Sequence, residues 1–273
     1  MGWTQAILLA VIQGLTEFIP VSSSAHLVII PGIFSWQTAP LFYDVMVHFG
    51  TALSILLYFV IDFLKNRSNP IERSKFRGPD KKSLVMWIVY IALGTFPAAI
   101  IGFLFNDFFE SFFSAPVYAA FFLIVTGFIL LSADLAVKLF KRNRNIGWLS
   151  SLLVGFAQAA AIFPGISRSG ATISAGVWQG ISKEVAARFS FMLGFVVISG
   201  TAAYEIFKIP ASGLPADIIV KSLIGLAVSA VVGFASIKAL LAILKRSRFL
   251  WFSIYCWVFG AGYLFLAYFL NFD

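Results

Sequence analysis

Charge is what this sequence has least of. Only 12% of its 273 residues are Asp, Glu, Lys or Arg, against about 25% in soluble domains. Together with 60% hydrophobic residues, 31 Phe and a mean hydropathy of +0.93, that scarcity excludes a water-soluble domain. A single polytopic membrane domain over 1–273 is expected instead. Cysteine is nearly absent: Cys256 stands alone in an apolar run, so no intramolecular disulfide can form. No Walker loop, Rossmann glycine pattern or Cys/His zinc spacing is present. The first residues lack the basic stretch of a secretory leader, so they are expected in the mature protein. Ala6 stands where a myristoylation site wants Ser or Thr.

The net charge of +8 would suit nucleic acid, but its distribution argues against such a partner. Basic residues cluster in Lys65–Lys82 (seven), Lys138–Arg144 (four) and Lys245–Arg248 (three), and none precedes Lys65. These are short links between apolar runs, as expected of cytoplasmic loops under the positive-inside bias. The alternating links differ. Asn106–Ala115 carries Asp107 and Glu110 without a base, and Lys208–Asp217 carries one charge of each sign. Asn66-Arg67-Ser68 matches a glycosylation sequon by chance, in a loop expected to be cytoplasmic.

A spanning helix needs about 20 mostly apolar residues. Six segments qualify, at about 44–62, 83–105, 116–137, 186–207, 218–244 and 249–270. Two further stretches, 3–34 and 148–182, hold apolar pieces too short to span, each pair divided by a polar break. Re-entrant helical hairpins are the simplest solution, because irregular backbone is tolerated at membrane depth only inside protein or beside a watery cavity. The order is hairpin plus three spans (1–137), then hairpin plus three spans (146–273). At an offset of 144, Pro20 falls on Pro164, Ser23 on Ser167 and Gly50 on Gly194. An odd number of spans inverts the second half, so the expected fold is an all-α, six-span inverted-topology repeat with broken segments meeting near the midplane.

The polar breaks carry the chemistry. The first reads Gln13-Gly-Leu-Thr-Glu17-Phe-Ile-Pro20-Val-Ser22-Ser23-Ser24-Ala-His26; the second reads Phe163-Pro164-Gly165-Ile166-Ser167-Arg168-Ser169-Gly170-Ala171-Thr172. Ionisable groups at membrane depth need partners and mark functional sites. Arg168 is a fork-shaped cation suited to phosphate, with Ser167, Ser169 and Thr172 as added donors beside a half-helix N-terminus that favours anions. Gln13 and Glu17, four apart, share a helix face and could hold a hard divalent cation. Glu17 could equally neutralise Arg168. His26 could act as base, acid or nucleophile, or serve as a hydrogen-bonded structural group. His48, with Asp44, is a further candidate at the cavity mouth. Ser22, Ser23 and Ser24 could cap a half-helix, bind phosphate or supply a nucleophilic oxygen. Asp134 and Glu205 are expected to pair with Lys138 and Lys208, and Gly176 with Gly180 to permit close helix packing.

At these residues the chain resembles the bacterial undecaprenyl-diphosphate phosphatase family, known also for bacitracin resistance. Gln13-Gly-Leu-Thr-Glu17 looks like the family's Glu/Gln-x-x-x-Glu element. Pro164-Gly-Ile-Ser-Arg-Ser-Gly-Ala-Thr172 looks like its Pro-Gly-x-Ser-Arg-Ser-x-x-Thr element. The resemblance covers essentially the whole chain. It implies an integral membrane hydrolase that removes the terminal phosphate of a C55 polyprenyl diphosphate, giving the lipid carrier of peptidoglycan and other envelope polymers. It also implies a divalent cation, Mg²⁺ or Ca²⁺, a homodimer in the bacterial plasma membrane, and a site open to the periplasmic side. By motif position it implies catalytic roles for Glu17, His26 and Arg168. Supporting roles fall to Ser23, Ser24, Ser167, Ser169 and Thr172.

Other readings compete. A polyprenyl-phosphate flippase or transporter would share broken helices and a midplane anion site. A phosphatase of the phosphatidic-acid type would need His six residues after Arg168, where Ser174 stands. A purely structural protein gives Glu17, His26 and Arg168 no reason to share membrane depth.

Overall fold

The computed structural model describes residues 1–66, 81–139, 144–208, 213–246 and 248–270. Among them every regular element is a helix. In chain order these are α1 (Trp3–Thr16), α2 (Ser23–Ile33), α3 (Leu41–Asn66), α4 (Lys81–Leu104), the short α5 (Asn106–Glu110) with a 3₁₀ turn (Ser111–Ser114), and α6 (Pro116–Leu139). Then follow α7 (Trp148–Ala160), α8 (Arg168–Trp178), α9 (Lys183–Phe207), α10 (Ala216–Arg246) and α11 (Leu250–Leu270).

Among the described residues six helices are long and apolar enough to cross a membrane: α3, α4, α6, α9, α10 and α11. They fall on the six expected segments. Their outward faces carry Phe103, Phe128, Phe207, Val231 and Phe269 in the open. So much exposed apolar surface would make a soluble protein aggregate, but it suits hydrocarbon. The first two basic links and the Asn66 sequon fall largely outside the described residues.

Helices α1, α2, α7 and α8 are short. At 14 residues α1 reaches about 21 Å, less than the roughly 30 Å hydrocarbon core. Polar caps start the second member of each pair. Ser22 accepts from the Ala25 N–H at 3.4 Å, and Ser167 accepts from the Gly170 N–H at 3.0 Å. Each cap satisfies a donor that the first helical turn leaves open. Nine consecutive residues of α8, Ser169 to Val177, are buried, so this polar helix lies inside the protein rather than against lipid.

Close backbone approach seats the short helices. A Cβ on Gly14 of α1 would meet Val232 Cβ at 2.8 Å, and one on Gly155 of α7 would meet the Gly94 carbonyl at 2.5 Å. Thus α1 lies along α10, and α7 lies along α4. Gly176 lets α8 close on Ala186 of α9, as its sequence context predicts. At one end of α3, Gln5 on α1 donates to the Gln37 carbonyl, and Lys221 on α10 donates to the Met1 carbonyl. At the other end Arg188 on α9 pairs with Asp62 at 2.8 Å. The main core packs Phe18 edge-on against Phe191, with ring centroids 5.4 Å apart.

One expected pair is corrected. Asp134 binds Arg248 Nε at 2.9 Å and accepts the Phe249 N–H at 3.0 Å, so it caps the start of α11 rather than pairing with Lys138. A cap with a tethered cation satisfies both oxygens, which a bond to Lys138 one helical turn away would not. Glu205 does meet Lys208, at 3.4 Å.

Candidate active site

The end of α1 places Glu17, and the start of α8 places Arg168. The two meet at 2.5 Å across 151 residues of sequence, with side chains 6% and 16% exposed. A buried ion pair needs its remaining polar atoms engaged. Glu17 Oε2 accepts the Ser23 hydroxyl at 2.6 Å and the Gln13 amide at 2.9 Å. On the other side, Arg168 Nη1 is buried with no partner among the described residues, as is Gln13 Oε1. Room for the guanidinium comes from Gly194 on α9: a Cβ there would run into Arg168 Nη1.

The turns around the pair are bound to one another. Ser22 and Ser24 share a hydrogen bond at 3.1 Å, and Ser24 Oγ accepts the Gly165 N–H at 3.3 Å, joining the two breaks. Ser167 and Ser169 hydroxyls lie 3.2 Å apart. Thr172 donates to the Arg168 carbonyl at 2.7 Å and meets Ser190 Oγ at 2.6 Å, so its hydroxyl works within the α8–α9 packing. Thr126 on α6 donates to the Gly165 carbonyl at 2.8 Å and accepts the Ser167 N–H at 3.0 Å. Nothing in the sequence marks it out, since it reads as one more residue in an apolar span.

A cavity of about 170 Å³ opens over this cluster. Its polar wall is Glu17, Ser22, Ser23, Ser24, Ser167, Arg168 and His48; its apolar wall is Ala161, Ile166, Val197 and Ile198. Gln13, His26, Ser169 and Thr172 sit behind the wall and are buried. The two histidines differ sharply. His48 faces the cavity, with Nδ1 donating to the Asp44 carbonyl at 2.7 Å. His26 is 3% exposed, held by the Ser22 carbonyl at 2.8 Å and the Tyr255 hydroxyl at 2.7 Å. Among the described residues no three His, Cys, Asp or Glu gather as a metal cluster. The cavity is lined by a guanidinium, a carboxylate and several hydroxyls together with apolar side chains. It can take an anionic head on an apolar tail.

The family described as Bacitracin resistance protein BacA matches residues 6–262. Curated relatives named undecaprenyl-diphosphatase cover the chain almost end to end. The Pelotomaculum thermopropionicum protein is 40% identical over 96% of each chain. That of Geotalea daltonii is 38% identical over 93% of this chain and 95% of its own. The Halothermothrix orenii protein is 37% identical over 96% and 97%. Matches of this extent, spanning both polar breaks, show that the chain belongs to the Bacitracin resistance protein BacA family.

Proposed function

We propose that this protein is an integral membrane phosphatase that removes the terminal phosphate of undecaprenyl diphosphate, returning undecaprenyl phosphate to cell-envelope synthesis and conferring bacitracin resistance. The observation that carries this reading is the three-way contact of Ser23, Glu17 and Arg168 in the cavity wall. Hydrolysis needs an oxygen nucleophile stripped of its proton and a cation fork on the phosphoryl oxygens. Glu17 Oε2 already accepts the Ser23 proton, so the carboxylate can take it as an oxygen at that place attacks the terminal phosphorus. The new O–P bond forms while the bridging P–O bond breaks, and its electron pair leaves on undecaprenyl phosphate. That leaving group is a stable anion and needs no acid. With Ser23 as the attacking oxygen, a water then displaces the serine from phosphorus, inorganic phosphate leaves, and Ser23 takes back the proton held by Glu17. Arg168 Nη1, without a partner among the described residues, is the donor left to take a phosphoryl oxygen. The isoprenoid stays on the apolar side, over Ala161, Val197 and Ile198.

A divalent cation, Mg²⁺ or Ca²⁺, belongs to this reading. The donors are all hard oxygens: Glu17 Oε1 keeps a lone pair beyond its bond to Arg168, and Gln13 Oε1 is a buried acceptor with no partner among the described residues. That chemistry fits a cation completed by substrate phosphates. When bound, such an ion neutralises phosphoryl charge and polarises phosphorus.

The inverted repeat, halves 1–137 and 146–273, belongs to it as well. It is supported by α1 on α10 against α7 on α4, each the first short helix of one half on the second span of the other. The reading further places the enzyme as a homodimer in the bacterial plasma membrane, with its cavity open to the periplasmic side.

Phosphate release from a C55 prenyl diphosphate by purified protein tests the function. Release with Mg²⁺ or Ca²⁺, falling at least about 100-fold in EDTA, is expected. A protein that only carried the lipid would release none.

A further inference from the structure

Resting on the phosphatase reading, we infer that His26 and Tyr255 are positioning residues that hold the serine turn of the cavity, and that His26 transfers no proton in the reaction.

Ser22 is the strained residue of this turn. Its φ of 64° lies in the left-handed region that non-glycine residues avoid. Something must hold it there, and His26 does. The Ser22 carbonyl accepts from both His26 Nδ1, at 2.8 Å, and the His26 backbone N–H, at 3.4 Å. A carbonyl only accepts, so Nδ1 carries the ring proton. In the neutral ring Nε2 is then the acceptor, and it takes the hydroxyl proton of Tyr255 on α11 at 2.7 Å. Both nitrogens are spent. The ring also stacks on Phe259, centroids 4.6 Å apart and planes at 19°, and lies near-parallel to Tyr255 at 5.8 Å.

A proton-transferring imidazole needs one nitrogen within reach of the reacting atoms. His26 would have to abandon a bond and leave its stack to reach the cavity, whose wall it does not form. The geometry instead describes a strut. From α11, 229 residues away in sequence, Tyr255 fixes the imidazole, the imidazole fixes the Ser22 carbonyl, and that backbone aims Ser22, Ser23 and Ser24 at the phosphate. Tyr255 is 42% exposed at the outer face of the helix bundle, so losing its hydroxyl leaves the packing intact.

The test uses full-length detergent-purified protein and farnesyl diphosphate, reading kcat and KM for phosphate release from about pH 5 to 9, the range that brackets imidazole titration. Variants are Tyr255→Phe, His26→Asn, His26→Ala and His26→Asn with Tyr255→Phe. Asn can still donate to the Ser22 carbonyl. The strut predicts a kcat loss of about 5-fold for Tyr255→Phe, the worth of one neutral hydrogen bond. It predicts partial rescue by His26→Asn relative to His26→Ala, with the latter down about 100-fold from misplacement. The double variant is no worse than His26→Asn, because the Tyr255 bond is already gone. All pH profiles run parallel to wild type. Wild-type kcat in Tyr255→Phe, or a His26→Asn enzyme as inactive as His26→Ala with a lost pH limb, overturns the inference alone. No release from folded wild type overturns the phosphatase reading and this inference with it.

Discussion

A methyl group at residue 194 would collide with Arg168 Nη1, so the place of the guanidinium depends on a side chain that is missing. Gly194→Ala is expected to leave a folded protein, because the far end of a flexible side chain can yield. It should lower kcat about 100-fold, since displacement of a phosphoryl-binding group by roughly 1 Å has that effect. Steady-state phosphate release with a thermal melt checks both halves. Ser23→Ala removes the hydroxyl that Glu17 accepts at 2.6 Å, and release should drop at least about 1,000-fold if that oxygen attacks phosphorus. At this scale the sequence was partly legible. Glu17, Arg168 and the serines announce themselves as polar groups inside apolar runs. Which histidine faces the cavity does not: ring direction depends on Tyr255 and Phe259 for His26, and on the Asp44 carbonyl for His48.

The two turns solve one problem with different residues. Helix caps align Ser22 with Ser167, an offset of 145, whereas the prolines align at 144. The second turn therefore holds one residue more between proline and cap. Gly165 absorbs it at φ +102°, while in the first turn Ser22 itself takes the positive φ. Gly165 also packs its bare Cα on the Ala119 carbonyl of α6, and Thr126 clamps the backbone on either side of Ile166. Thr126→Val keeps the shape but strands the Ser167 N–H and the Gly165 carbonyl, at about 1–3 kcal/mol for each buried group left unpaired. Lower melting temperature and lower kcat are expected, with Thr126→Ser restoring both. Equal activity in Val and Ser variants would show that the clamp does not aim Arg168. Helix lengths and breaks were legible because apolar run length is a local property. Thr126 was not, because its partners lie about 40 residues away. Asp134 was misread for the same reason, its partners being 114 and 115 residues distant.

For the whole molecule, the six spans were legible from composition, since bilayer thickness alone sets their length. How the two polar breaks meet was only implied by the order of elements. In the folded chain the meeting point is an ion pair, with the carboxylate from one break and the guanidinium from the other. The proposed catalytic centre therefore forms only when both breaks are docked, and a change at either should act on turnover before it acts on lipid binding. Deleting one partner would confuse function with stability, because an uncompensated buried charge costs about 3–5 kcal/mol. Arg168→Lys avoids this by keeping the positive charge while removing the planar fork. The measurement is therefore phosphate release from undecaprenyl diphosphate by purified Arg168→Lys protein, beside wild type and with a melt to confirm folding. A folded variant whose kcat falls at least about 100-fold is predicted, the loss of one preorganised donor to the phosphoryl oxygens. A folded variant within about threefold of wild type, less than one hydrogen bond is worth, would contradict the claim that the Arg168 fork holds the transferring phosphoryl group.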